Sequence, residues 1–265
     1  MRHIPLSQAL LEFAAGADGQ RAVTSLARAH TRVSGMAETD RPGYIERNGA
    51  SKWSPHKEYF VNRFGKKCWY TEAEVIGAHL TIDHYRPKAL YWWLAFQPNN
   101  YRIACPFANS PEGGGGKSNH FPLTLPAIRA TGPGGSDQGD PVILDPCRQE
   151  DVVLLAFQSD GQVVIHPDFA HDPDAVHRVT ESKILLNLQH ADFNAKRAEL
   201  CQAIGREVSC IRELPENIAE RLSMIQHLES LIQPHAPFST AARFYLMTHR
   251  YLSWVQDILD RNPLP

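Results

Sequence analysis

Asp83 and His84 are adjacent in the chain, Asn100 follows sixteen residues after the histidine, and Asn109 lies nine residues further on. Histidine has the side-chain pKa closest to neutrality, which casts His84 as a base able to take a proton from water. A carboxylate and a carboxamide oxygen suit a hard divalent cation such as Mg²⁺ or Mn²⁺. Asp83 with Asn109 would supply two such ligands and leave positions for water and a substrate oxygen. Together these side chains have the chemistry of metal-assisted hydrolysis. One geometric condition applies, because successive strand residues face opposite sides. Asp83 and His84 can share a site only where the strand ends, and Pro87 is consistent with such an end.

The residues around this set extend the pattern. Cys68-Trp69-Tyr70-Thr71-Glu72 precedes Asp83-His84-Tyr85-Arg86-Pro87-Lys88. Cys105-Pro106-Phe107-Ala108-Asn109 and Lys117-Ser118-Asn119-His120-Phe121-Pro122 follow. This series resembles the HNH (ββα-metal) endonucleases, and more narrowly the HNH subunits of Septu and retron-associated anti-phage systems. Leu144-Asp145-Pro146-Cys147 and Pro237-Phe238-Ser239 also look like that family, so the resemblance touches most of residues 50 to 245. It implies hydrolysis of phosphodiester bonds in nucleic acid, with DNA expected ahead of RNA. His84 is then the base, and Asn100 the middle residue that hydrogen-bonds the loop presenting it. Asp83 and Asn109 hold Mg²⁺ or Mn²⁺. Arg86, Lys88 and Lys117 are candidate phosphate contacts, and His120 is an accessory candidate. The resemblance further implies a partner ATPase subunit.

The chain departs from that family in one respect. Many HNH proteins hold a structural zinc with two C-x-x-C pairs. Here Cys68-x-x-Thr71 and Cys105-x-x-Ala108 leave two thiols where a tetrahedral site takes four ligands. Structural zinc is therefore not expected, and apolar packing takes its place. The same departure supports the alternative reading of a catalytically silent HNH-like module that binds nucleic acid or a partner ATPase.

Composition sets looser bounds. The 265 residues are 43% apolar, enough for a sizeable core, and the net charge is −2. Residues 61–120 carry a net charge of +3, so a locally basic segment sits in an otherwise acidic chain. Five scattered cysteines form no paired framework and point to a reducing cytoplasm. No stretch suits a membrane span.

The elements that must position these residues read as an α+β protein. A central ββα-metal unit is expected within a mainly helical chain, with one small additional β-hairpin. The expected division is 1–50, an N-terminal helical segment; 51–145, the nuclease core; and 146–265, a hairpin followed by helices. Helices are expected over 6–15 and 20–30, then a loop through Pro42-Gly43 and Gly49, then a helix over 54–64 with Pro55 in its first turn. Strands are expected over 68–70 and 80–83, with a helix beginning at Asn109. The glycine run 113–116 is expected to lengthen the loop before that helix. Residues 142–144 read as a strand, and 152–157 with 163–165 as a hairpin around Ser159-Asp160-Gly161. Asp145 reads as a turn cap before Pro146. From Asp174 the spacing is helical, ending in one helix through Phe244, Met247, Tyr251, Trp254 and Ile258 whose apolar stripe faces the core.

Overall fold

Apolar residues at helical spacing bury one face of each N-terminal helix. In the computed structural model, α1 (Leu6–Ala15) buries Leu6, Ala9 and Phe13, and α2 (Ala17–Ser34) buries Ala22, Leu26, Ala29 and Val33. The structure describes every residue except 75, 76, 78, 111–115, 217, 264 and 265. The third helix, α3, spans Arg41–Phe64 without interruption. It replaces both the loop expected through Pro42 and Gly49 and the shorter helix expected over 54–64. Pro42 lies in its first turn, where a missing N–H costs nothing, but Pro55 sits in its interior. Buried Ile45, His56, Phe60 and Phe64 fix the helix against α1, α2 and the hairpin beneath it. The division expected after residue 50 thus falls inside a helix.

The hairpin consists of β1 (Thr81–His84) and β2 (Tyr101–Ala104), antiparallel, with Asp83 opposite Arg102 and His84 opposite Tyr101. The short helix α4 (Pro106–Asn109) follows at once. Asn109 therefore ends a helix, whereas the sequence suggested that it begins one. The glycine run 113–115 lies outside the described residues. Cys68 to Tyr70 is a turn, not a strand, although the Trp69 N–H donates to the Ile103 carbonyl at 2.8 Å and so lies alongside β2. The second hairpin is β3 (Leu155–Phe157) with β4 (Val163–Ile165), preceded by the single turn α5 (Gln149–Val152). Residues 142–144 are deeply buried but form no strand.

The rest is helical: α6 (Pro173–Leu185), α7 (Ala191–Glu213), α8 (Ala219–Leu231), α9 (Ser239–Met247) and α10 (Ser253–Arg261). The single last helix expected from the stripe is thus two helices. Ile258 is buried and Phe244 and Trp254 pack on the core, while Met247 and Tyr251 are exposed at and after the end of α9. One continuous apolar cluster runs from Met1 to Leu259 and joins the N-terminal helices, the first hairpin and the C-terminal helices. The protein is a mainly helical α+β fold with two small two-stranded sheets among its described residues.

Candidate active site

β1 ends at His84, and this meets the geometric condition set by the adjacent Asp83 and His84. Both residues border one polar cleft of about 230 Å³, together with Ile82, Pro87, Lys88, Asn109, Ser118 and Asn119. The hairpin brings Asp83 and His84 to it, and the last residue of α4 brings Asn109.

His84 is held on three sides. Its Nε2 lies 2.9 Å from the Ala95 carbonyl. A carbonyl can only accept, so Nε2 carries the hydrogen and Nδ1 keeps its lone pair. The same carbonyl accepts from Trp53 Nε1 at 2.9 Å and Tyr101 Oη at 3.0 Å. The Trp53 and Tyr101 rings stand edge-on to the imidazole at 4.6 and 5.2 Å. Burial pulls the His84 pKa down to about 4, against the opposing pull of the Ala95 carbonyl and Asp83. The imidazole is therefore neutral at pH 7, the state a proton acceptor needs.

Trp53 reaches His84 because of a glycine one helical turn before it. A Cβ on Gly49 would come within 2.2 Å of the indole ring. The glycine that reads as loop punctuation is thus a packing requirement of α3.

Asn100 grips the chain just beyond His84. Its Oδ1 accepts from the Arg86 N–H at 2.8 Å, and its Nδ2 donates to the Arg86 carbonyl at 2.9 Å. Both bonds lie in the segment that leaves β1.

Asp83 is buried and doubly bound. Oδ2 accepts from Tyr70 Oη at 2.6 Å, and Oδ1 accepts from Lys117 Nζ at 2.8 Å. Lys117 also donates to the His84 carbonyl at 2.7 Å. Burial draws the Lys117 pKa down, opposed by Asp83. Gly116 makes this approach feasible: at φ +110° it passes so close to Ser110 that a Cβ would lie 2.6 Å from the Ser110 carbonyl oxygen.

The basic candidates therefore separate. Lys117 is completely buried in its ion pair, a correction to the expectation that it faces phosphate. Arg86 is committed to Asp137 at 3.1 Å and is only partly exposed, so its guanidinium does not stand free for phosphate as expected. Lys88 is exposed at the edge of the cleft. His120 is exposed and does not border the cleft. Asp145 does cap the turn, accepting the Cys147 N–H at 2.8 Å, but its main partner is Arg102, which it binds through both oxygens at 2.6 Å. Arg102 holds the Asp145 carboxyl below its ordinary pKa although burial acts to raise it.

Each carboxylate oxygen has two lone pairs, so Asp83 retains acceptor capacity beyond Tyr70 and Lys117. With the Asn109 amide it offers oxygen donors to one cleft. That set fits Mg²⁺ or Mn²⁺, which bind through one or two protein oxygens and complete their shell with water and phosphate. Among the described residues no three His, Cys, Asp or Glu side chains converge as a metal cage. The decayed cysteine pairs do come together. Thr71 Oγ1 lies 4.0 Å from Cys105 Sγ, and Cys68, Thr71, Cys105 and Ala108 are all buried.

Sequence reasoning missed Trp53 and the Ala95 carbonyl, which lie outside the motif. It also gave Tyr70 no role, although Tyr70 stands inside the quoted motif. No family model matches the chain. It is 29% identical over 119 residues to the Septu protein PtuB of Bacillus mycoides (strain KBAB4). That match covers 40% of this chain and 39% of the relative, so it spans about two fifths of the relative's length. In sequence, the chain is similar to a Septu protein over this stretch.

Proposed function

We propose that this chain is a metal-dependent HNH-type endonuclease, hydrolysing phosphodiester bonds in nucleic acid, with DNA the expected substrate, as the effector of a Septu-like anti-phage system. One observation carries the reading. Asp83, His84 and Asn109 border a single cleft, with His84 neutral and its Nδ1 lone pair free of the hydrogen bond that anchors Nε2.

His84 Nδ1 accepts the proton of the attacking water, and the Ala95 carbonyl holds the ring in the tautomer this requires. Asn100 fixes the backbone that presents His84. Lys88, exposed at the edge of the cleft, attracts a phosphate. A divalent ion held by Asp83 and Asn109 would polarise the phosphate and stabilise the leaving oxygen. In the wider system, the similarity to a Septu protein supports action beside another subunit, expected to be an ATPase.

The test is cleavage of plasmid DNA by the purified chain with Mg²⁺ or Mn²⁺, beside His84→Ala. Metal-dependent cutting that is lost in the variant supports the assignment, and equal cutting by both places the activity elsewhere. A second reading, a silent binding module, draws on the buried Lys117–Asp83 pair, which occupies one oxygen of the expected metal ligand. It predicts nucleic-acid binding with no cleavage even after the partner subunit is added.

A further inference from the structure

Lys117 is a charged side chain with no exposed surface, and it spends its ammonium on the two residues central to the site. Nζ lies 2.8 Å from Asp83 Oδ1 and 2.7 Å from the His84 carbonyl. It does not border the cleft, so the ammonium backs the carboxylate without filling the space in front of it. Among the described residues of the cleft, Asp83 is the sole carboxylate and Lys88 the sole lysine or arginine, His84 being neutral. Among the described residues, one carboxylate thus answers two ammonium groups, a net positive balance before any cation enters. A dication entering such a site meets repulsion that water screens poorly, because Lys117 and Asp83 are buried. A nucleic-acid strand reverses this balance by bringing one negative charge per phosphate.

We propose that Lys117 is a built-in counter-charge to Asp83, which keeps the free protein from retaining a divalent cation and makes cation binding depend on the phosphodiester that arrives with it. The proposal rests on the nuclease reading above and adds an order of assembly to it. Lys117 acts through Asp83 and is a positioning residue. Backbone placement supports the role: Gly116 turns the chain inward and the Lys117 N–H donates to the Ala108 carbonyl at 3.2 Å, so the residue is held from both ends.

The experiment measures Mn²⁺ binding by the paramagnetic resonance signal of the free ion. It uses the His84→Ala protein so that the strand survives, alone and with a short DNA duplex, and with an RNA duplex in parallel. Mn²⁺ affinity is expected to rise at least about tenfold when a duplex is present, a shift of about 1.4 kcal/mol. Adding Lys117→Met is expected to tighten Mn²⁺ binding to the strand-free protein by a similar factor. Equal Mn²⁺ affinity with and without duplex overturns the proposal while leaving the nuclease reading intact, and this arm needs no change at Lys117. A folded Lys117→Met protein, verified by circular dichroism, that binds Mn²⁺ no more tightly also overturns it and makes Lys117 a structural prop. Absence of Mn²⁺ binding in every arm defeats the nuclease reading, and the proposal with it.

Discussion

The side chain of Asn100 closes a two-bond clasp on the backbone of Arg86, with 2.8 Å to its N–H and 2.9 Å from its carbonyl. An amide is the side chain that can accept and donate at once in this way. Asn100→Ala removes both bonds and leaves buried polar groups unpaired, at a cost of about 1–3 kcal/mol. Asn100→Asp keeps the acceptor and loses the donor. Cleavage is expected to fall in both, more in Asn100→Ala, with Lys88-dependent substrate affinity little changed. Comparing kcat and KM for the two variants checks this, and an effect confined to KM would refute the role.

His84 is neutral at pH 7 because burial holds its pKa at about 4, against an ordinary 6.5. Above pH 6.5 the base is available in both the folded and the reference state. As the pH falls, the folded protein keeps its base until the pH nears its own pKa. The acid limb of the cleavage rate is thus expected close to pH 4, and a limb near 6.5 would show that His84 is not shielded. His84→Ala is expected to lower the rate by about 10²–10⁴-fold.

His56 offers a parallel test of stability. It is fully buried, both ring nitrogens lack a hydrogen-bond partner, and the ring packs edge-on against Phe13 at 4.9 Å. Burial lowers its pKa to about 4 from 6.5. The unfolded chain therefore binds a proton between these values that the folded chain refuses. Stability is complete above pH 6.5 and is lost as the pH falls towards 4. His56→Leu, close in volume and apolar, is expected to melt at or above the wild-type temperature and to lose less on acidification. Thermal melts of both proteins at about pH 7 and about pH 5 decide it.

Gly49 and Trp53 form a unit on α3. Gly49→Ala places a methyl group where the indole now lies, 2.2 Å from its ring. The indole must shift away from His84 and the Ala95 carbonyl. Alanine raises helix propensity by about 0.8–1 kcal/mol relative to glycine, so a gain in stability would be the simple expectation. The packing clash predicts the reverse, a lower melting temperature together with reduced cleavage. A variant that is more stable and equally active would show that the indole has room to yield.

The buried Cys68, Thr71 and Cys105 cluster makes the fifth test. Thr71→Cys with Ala108→Cys restores four thiols at the two decayed pairs. The double variant is expected to retain about one zinc ion per chain, tetrahedrally bound. Metal analysis after dialysis reads this directly, and a zinc-free product would mean that the four positions do not reach tetrahedral geometry.

The grouping of the candidate residues was legible in the sequence where residue type and order carry the meaning. Asp83, His84 and Asn109 reach one cleft, and Asn100 bonds the segment after His84. Pairings across long separations left no such signal. Nothing in the chain announces that Lys117 will bury itself against Asp83, or that Arg86 will meet Asp137. The fold was legible as a mainly helical α+β chain with small hairpins, but β2 (Tyr101–Ala104), the strand that pairs with β1, was not read as a strand. Its boundaries failed where punctuation misled. Pro42, Gly43 and Gly49 read as a loop and Pro55 as the start of a new helix, yet α3 runs through all four because its buried face packs along its length. Cys68 to Tyr70 has strand-like residues but turns, with its side chains buried beside β2.

The turn after Tyr70 also reaches the far end of the chain. Glu72 accepts from Lys67 Nζ at 3.0 Å, Ser239 Oγ at 2.8 Å and the Thr240 N–H at 3.1 Å, and its own carbonyl takes the Phe238 N–H at 3.0 Å. Burial acts to raise the Glu72 pKa, but Lys67 and these bonds hold it well below the carboxylate range. A fragment cut to residues 65–122 would strip this carboxylate of Ser239 and Thr240, leaving Lys67, and open the apolar cluster that α9 completes. The candidate site draws on residues from Trp53 to Asn119, but the unit able to hold it in shape includes the C-terminal helices.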